Sequence, residues 1–330
     1  MRAWRINDLG HPAEKLERED LASPQPEAGQ IHVAVEATTI NFADILLCQG
    51  IYQDRPGIPF TPGLETSGRV LAHGEGVDPD SFPVGSRVMG MAALPHGGYA
   101  EESLIRANTA LAMPDSVDAG VGTVLYSTYQ TAHVAIHHRA QIQPGEWLLV
   151  HGASGGVGSA AVQLGLAAGA IVVATAGGEA KAQFCADLGA HHVIDYTAVD
   201  FSESLKELTG GRGVDVAFDA VGGDLGEATR RLMAWEGRLV VIGFASGGVP
   251  NYPANHLLVK NYTIMGLHWG AMADHGGRPV IEAAHEHLMQ LYADGAIAPP
   301  VADAARFDDL VDAMGRLERR SVTGRLVFVP

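Results

Sequence analysis

Residues 151–158 read His-Gly-Ala-Ser-Gly-Gly-Val-Gly, which places Ala153, Gly155 and Gly158 in an Ala-x-Gly-x-x-Gly spacing. An apolar run, 146–150, precedes them and an amphipathic stretch, 159–168, follows, so the motif sits in a strand, turn and helix context. Small residues at the first two positions let backbone N–H groups come close to a pyrophosphate, and the third lets the helix lie against the strand. The unpaired N–H groups and positive end of the helix add to the attraction for an anion. Ser154, Gly155, Gly156, Val157 and Gly158 are therefore expected to cradle the phosphates of a dinucleotide. About 20 residues on, where an acid would take the ribose 2′-hydroxyl of NAD(H), stand Ala176 and Gly177. Thr175, Gly177 and Gly178 leave room and donors there, and Lys181 offers a cation to a 2′-phosphate, so the pattern points to NADP(H). Against this stand Glu179, close to the strand end, and the equal fit of Lys181 as a solvated helix residue.

A second pattern, His133-Val-Ala-Ile-His137, sets two imidazoles one helical turn apart, the spacing of a zinc-binding helix. Val134 stands where a metalloprotease would need its general base. We read this stretch as a helix surface in a His-rich chain and expect no metal site. His138, His191, His192, His285 and His287 are likewise expected to be exposed.

The elements that position the loop alternate strand and helix, with strands expected at 147–150, 170–175, 192–194, 214–218 and 238–242, the signature of a parallel, doubly wound sheet. Before about residue 124 the chain is rich in Gly and Pro with short alternating runs such as 30–36 and 66–71, which reads as an irregular β domain. From about 278 come helical patterns through 292 and over 307–317, then a strand at 325–329. That stretch is too short for its own core and is expected to return to the first domain. The division is thus 1–124, 125–270 and 271–330, an α/β chain with the dinucleotide domain inserted in a β-rich one.

With 47% apolar residues in 330, two cores can be built. A net charge of −16 opposes nucleic-acid binding and favours a small-molecule partner. Two cysteines, Cys48 and Cys185, are too few for a disulfide framework or a four-thiolate zinc site. No secretory signal or membrane span is apparent, so a cytoplasmic protein that binds no membrane is expected.

The segments Asn41-Phe-Ala-Asp44, Pro62-Gly-Leu-Glu65, Val84-Gly-Ser-Arg-Val88, Gly97-Gly-Tyr-Ala-Glu101, Tyr129-Gln-Thr-Ala132 and 235–244, with Gly266-Leu-His-Trp-Gly270, make the chain resemble the medium-chain dehydrogenase/reductase superfamily, within it the zinc-free NADPH:quinone oxidoreductases. The likeness runs over nearly the whole length. It implies a GroES-like catalytic domain flanking a Rossmann domain, a homodimer, and hydride transfer from NADPH to a quinone or, as an alternative, to an α,β-unsaturated carbonyl. A cofactor-binding protein with little turnover is a third possibility. Zinc-dependent relatives carry Cys and His where this chain has Asn41 and Leu64, and leucine cannot bind a metal. The resemblance places Asn41 and Thr131 near the nicotinamide, Gly243, Phe244, Leu267, His268 and Trp269 around the cofactor, and Tyr196 near the 2′-phosphate. Tyr52 is the candidate to line the substrate pocket and offer a hydroxyl to a developing oxyanion. Asp44 either holds a hydrogen-bond network around Asn41 or caps a helix. Leu46 and Cys48 replace a Tyr and an Arg of several quinone oxidoreductases, which makes the pocket more apolar.

Overall fold

A computed structural model describes residues 1–330, and the chain divides into two compact units. The first comprises Met1–Ser127, Ala273–Arg278 and Val301–Pro330. Its strands begin with an antiparallel pair, β1 (Arg2–Ile6) and β2 (Leu16–Asp20). A larger sheet follows, formed by β3 (Gln30–Ile40), β4 (Glu65–His73), β5 (Arg87–Met91), β6 (Glu102–Arg106) and β7 (Leu111–Ala112). The long central β3 pairs antiparallel with both β4 and β6. One core cluster of this unit gathers Ile6, Ile40, Ile45, Phe60 and Tyr99 with Phe307 and Phe328 from the far end of the chain. A second, around Ile31, Val33, Val70, Val88 and Ile105, is built from sheet residues alone.

The second unit, Thr128–Met272 with Pro279–Pro300, carries a six-stranded sheet. Its strands are β8 (Trp147–Val150), β9 (Ile171–Ala176), β10 (His192–Asp195), β11 (Val214–Asp219), β12 (Met233–Val241) and β13 (Thr263–Gly266). All neighbours run parallel in the order β10-β9-β8-β11-β12-β13. Counted from β8, this is the 3-2-1-4-5-6 order of a dinucleotide-binding sheet, with the direction of winding reversed between β8 and β11. Every residue of β11 is buried, as a central parallel strand covered on both faces requires. The sequence pattern gave five strands. The sixth, β13, is short, half-exposed and lacks an apolar run, so its pairing with β12 rather than its composition makes it a strand.

The C-terminal stretch does not return whole to the first unit. The helix Arg278–Ala293 buries Ile281, Ala284 and Leu288, and beyond Pro279 it belongs with the second unit. Two bonds hold the end of this segment there: Gln163 Nε2 donates to the Ala298 carbonyl at 3.0 Å, and the Ala298 N–H donates to Gln163 Oε1 at 2.6 Å. Besides Ala273–Arg278, the part that completes the first unit is Val301–Pro330, with β14 (Val301–Arg306), the helix Leu310–Glu318 and β15 (Arg325–Val329), β15 pairing antiparallel with Thr38–Ile40 of β3. No helix is long and apolar enough to cross a membrane.

Candidate active site

In the second unit the helix Gly156–Ala167 opens directly after the loop, with Gly155 as its N-cap in extended conformation. The Gly155 N–H is spent on the Gly152 carbonyl at 3.0 Å, while the first-turn N–H groups have no intrahelical acceptor and face forward. Gly158 is required by contact. A Cβ there would lie 2.1 Å from the Gly152 carbonyl oxygen and 2.8 Å from Ala153 Cα, so helix and loop backbones touch.

Beneath the loop, His151 is fully buried. Its Nε2 lies 2.7 Å from Thr229 Oγ1 and its Nδ1 2.9 Å from Thr175 Oγ1. Thr229 gives its own hydroxyl proton to the Leu225 carbonyl at 2.8 Å. It must therefore accept from Nε2–H, which leaves Nδ1 to accept from Thr175. Burial lowers the His151 pKa to about 4, so the ring is neutral at physiological pH. This corrects the expectation for Thr175: its side chain is fully buried and serves the loop's anchor rather than a ligand.

The other expected cofactor residues of this unit follow the C-terminal ends of its strands. Gly177 follows β9 under Tyr196, whose hydroxyl would be 2.6 Å from a Cβ at Gly177. Tyr196 is exposed. Gly178, at φ 93°, caps the helix Glu179–Asp187, on which Lys181 is half-buried. Gly243 and Phe244 follow β12, with the exposed Phe244 ring against Gly222 after β11. Leu267, whose N–H bonds the Val241 carbonyl at 3.1 Å, leads from β13 through His268 to the buried Trp269. Thr131 lies apart from these loops in sequence, on the helix Gln130–His133. Asp195 was missed: its Oδ1 accepts from the Gly178 N–H at 2.9 Å and from the Thr197 hydroxyl at 2.6 Å, contacts that lower its pKa. It stands on β10 rather than β9, outside the position where the fingerprint looks for an acid.

In the first unit Asn41 caps the helix Phe42–Cys48. Its Nδ2 donates to Glu65 Oε1 at 2.8 Å and to Thr39 Oγ1 at 3.2 Å, and its Oδ1 accepts from the Arg325 guanidinium. The same Glu65 oxygen accepts from Ser127 Oγ at 2.6 Å and from Thr39, with the Arg325 guanidinium 3.9 Å away. Both ends of the Asn41 amide are thus engaged and its orientation is fixed.

Asp44 performs both roles that its position suggests. Its Oδ2 accepts from the Asn41 backbone N–H at 3.0 Å and the Tyr99 hydroxyl at 2.8 Å, and its Oδ1 from the Gly63 and Leu64 N–H groups at 3.2 and 3.1 Å. Complete burial and the neighbouring Glu65 raise its pKa to about 7 against the pull of these donors. Burial also lowers the pKa of Arg325 and raises those of Cys48 and Tyr99. Tyr52 is half-buried against the core cluster, its hydroxyl pushed up to about 12 by burial and then by Asp54, Asp44 and Glu65. Leu64 is buried, 6% exposed.

The histidine-rich stretch also differs from expectation. His133 is buried and His137 half-buried, because His287 on the helix Arg278–Ala293 packs onto them, with its Nδ1 2.8 Å from His133 Nε2. His191 accepts from the Val172 N–H at 3.1 Å, and His192 stacks on Trp147 at 5.5 Å. His138 is exposed and His285 half-buried.

Comparison with known proteins agrees with this architecture. Residues 27–115 match the alcohol dehydrogenase GroES-like domain family and residues 156–287 the zinc-binding dehydrogenase family. A quinone oxidoreductase-like protein 2 homolog of Nematostella vectensis is 36% identical over 331 residues, covering 99% of this chain and 88% of that protein. The crystal structure of Escherichia coli quinone oxidoreductase complexed with NADPH superposes with a TM-score of 0.90 at 30% identity, covering 100% of both chains. A mycobacterial protein complexed with NADPH gives 0.91 at 29% identity over the same coverage.

Proposed function

Because the chain belongs to the quinone oxidoreductase-like branch of the medium-chain dehydrogenase/reductase superfamily, we propose that it binds NADP(H) and transfers hydride to a quinone without a metal. The observation that carries the cofactor reading is the close packing of the helix Gly156–Ala167 on its loop at Gly158, where a Cβ would strike the Gly152 carbonyl, so that the helix's first-turn N–H groups open at the loop. The first-turn N–H groups would hold the pyrophosphate. Lys181 and Tyr196, beside an Ala176-Gly177 strand end with no acid of its own, would receive the 2′-phosphate. The NADPH-bound relatives support the same choice.

Donor chemistry supports a reaction without zinc. Leu64 offers no lone pair, and the Asn41 carbonyl oxygen already accepts from Arg325, so no step is routed through a metal at these two positions. Bound NADPH would supply a hydride. The protein's own part is to hold the acceptor against it and exclude water. Asn41, locked by Glu65 and Arg325, presents a fixed polar edge. The Tyr52 hydroxyl, protonated up to about pH 12, donates a hydrogen bond to the developing oxyanion. A quinone then becomes a hydroquinone by gaining one hydride and one proton, the proton drawn from solvent.

We also take the protein to act as a homodimer. The Rossmann sheet ends on β13 as an edge strand, and the preceding helix Ala254–Lys260 exposes Leu258 and Val259, 82% and 75% accessible. Light scattering would read the mass directly, and a monomer at working concentration would refute this part.

The reductase reading is tested by following NADPH absorbance with ortho- and para-quinones. No oxidation with any quinone refutes it. Transfer of deuterium from labelled NADPH to the β-carbon of an enone, without quinone turnover, assigns the alternative.

A further inference from the structure

We propose that His133, His137 and His287 form a binding site for a divalent transition metal, with zinc as the ion that fits best. The three side chains come from two helical segments of the second unit: 130–139 carries the first two and Arg278–Ala293 the third. Their ring centroids lie 4.5, 5.1 and 5.6 Å apart. One nitrogen from each ring lies within 4.8 Å of the others.

The local winding explains the first pair. Residues Val134–Arg139 form a π-helical turn, with the Ala140 N–H bonded to the Ala135 carbonyl five residues back at 2.9 Å. Single turns of this kind are common at functional sites. A four-residue step falls just short of a full π turn, so the two imidazoles stand over one another.

As an ordinary packed cluster the trio is poorly satisfied. The 2.8 Å contact between His133 Nε2 and His287 Nδ1 uses one proton and one lone pair. His137 Nε2 is buried with no hydrogen-bond partner, a cost that native interiors rarely carry and a bound ion would remove; His133 Nδ1, across its ring from the His287 contact, is unpartnered with or without the ion. No carboxylate, hydroxyl or carbonyl meets either atom. Imidazole is a preferred ligand of zinc, copper and nickel. Zn–N bonds of about 2.0–2.1 Å in a tetrahedron place ligand nitrogens about 3.3 Å apart. The His133–His287 pair would open by about half an ångström and His137 would close onto it. His287 is exposed, so a fourth position faces solvent and would hold water. Bound there, the ion would tie the helix Arg278–Ala293 to the 130–139 segment.

Tag-free protein stripped with a chelator and dialysed against Zn²⁺ should retain one equivalent per chain and melt at a higher temperature. Co²⁺ should give the visible absorption of a tetrahedral site. His287→Ala, at an exposed position, should leave the fold intact and weaken metal binding by at least about tenfold, abolishing the thermal shift. His137→Ala should do the same. Failure of the native chain to retain zinc overturns the proposal, and so does retention at unchanged affinity in His287→Ala.

Discussion

Replacing Gly158 with alanine tests the packing that shapes the loop. The new methyl carbon would sit 2.1 Å from the Gly152 carbonyl oxygen, 2.7 Å from its carbonyl carbon and 2.8 Å from Ala153 Cα. All three are backbone atoms, so no rotamer change relieves the clash, and the loop must retreat by about an ångström to reach ordinary contact distance. Overpacking of this kind costs about 1–3 kcal/mol. If that cost falls on the binding geometry, affinity for NADPH drops by about 5- to 150-fold, since about 1.4 kcal/mol is a factor of ten. Titration of NADPH fluorescence should show this loss for Gly158→Ala, and melting of the cofactor-free variant reports how much of the cost falls on the fold itself. Equal affinities for Gly158→Ala and the native chain would refute the assignment of this loop to the pyrophosphate.

Arg325→Ala should strip Glu65 of its cation and Asn41 of its donor, lowering stability by about 3–5 kcal/mol in urea unfolding. It should also reduce quinone turnover while the Kd for NADPH changes little, and unchanged turnover would remove Asn41 from the reaction. The His151 pKa is depressed to about 4, so the unfolded chain binds more protons below about pH 6.5. Stability should therefore fall as pH drops from 6.5 towards 4, by up to about 3 kcal/mol from this ring, and His151→Gln should flatten that slope in unfolding measured at several pH values. Asp44 has the opposite sign. Its folded pKa is raised to about 7, so its contribution is full below about pH 4 and is lost as pH rises through 7. Asp44→Asn should remove this loss when melting temperatures at pH 5 and 8 are compared.

The sequence reveals what is local and periodic. The loop 151–158, the strands β8 and β11 and the closing strand β15 are legible because tight turns and buried parallel strands demand particular residue types close together. Asn41 and Asp44 were recognised through their motif, and the capping geometry around them is local. Arg325 carries no such signal, since an arginine opening a strand reads as an exposed end until the fold lays it against Asn41. Thr175 was misread because nothing along the chain says that His151 lies beneath it. The imidazole cluster was missed for a related reason. The spacing of His133 and His137 was visible, but His287 reaches them from a helix that the sequence assigned to the other domain.

The pairing of β15 with the end of β3 has a consequence for synthesis. The Arg325 guanidinium and the Asn41 amide are separated by 284 residues. At translation rates of about 5–20 residues per second, the N-terminal strands wait on the order of tens of seconds for their last partner. Throughout that interval Thr38–Ile40 is an open strand edge, able to pair with another nascent chain. The inserted second unit, whose sheet strands are contiguous between β8 and β13, has no such wait. Misassembly should therefore begin at the β3 edge, and strains short of chaperones should accumulate chains whose second unit is folded and whose first is not.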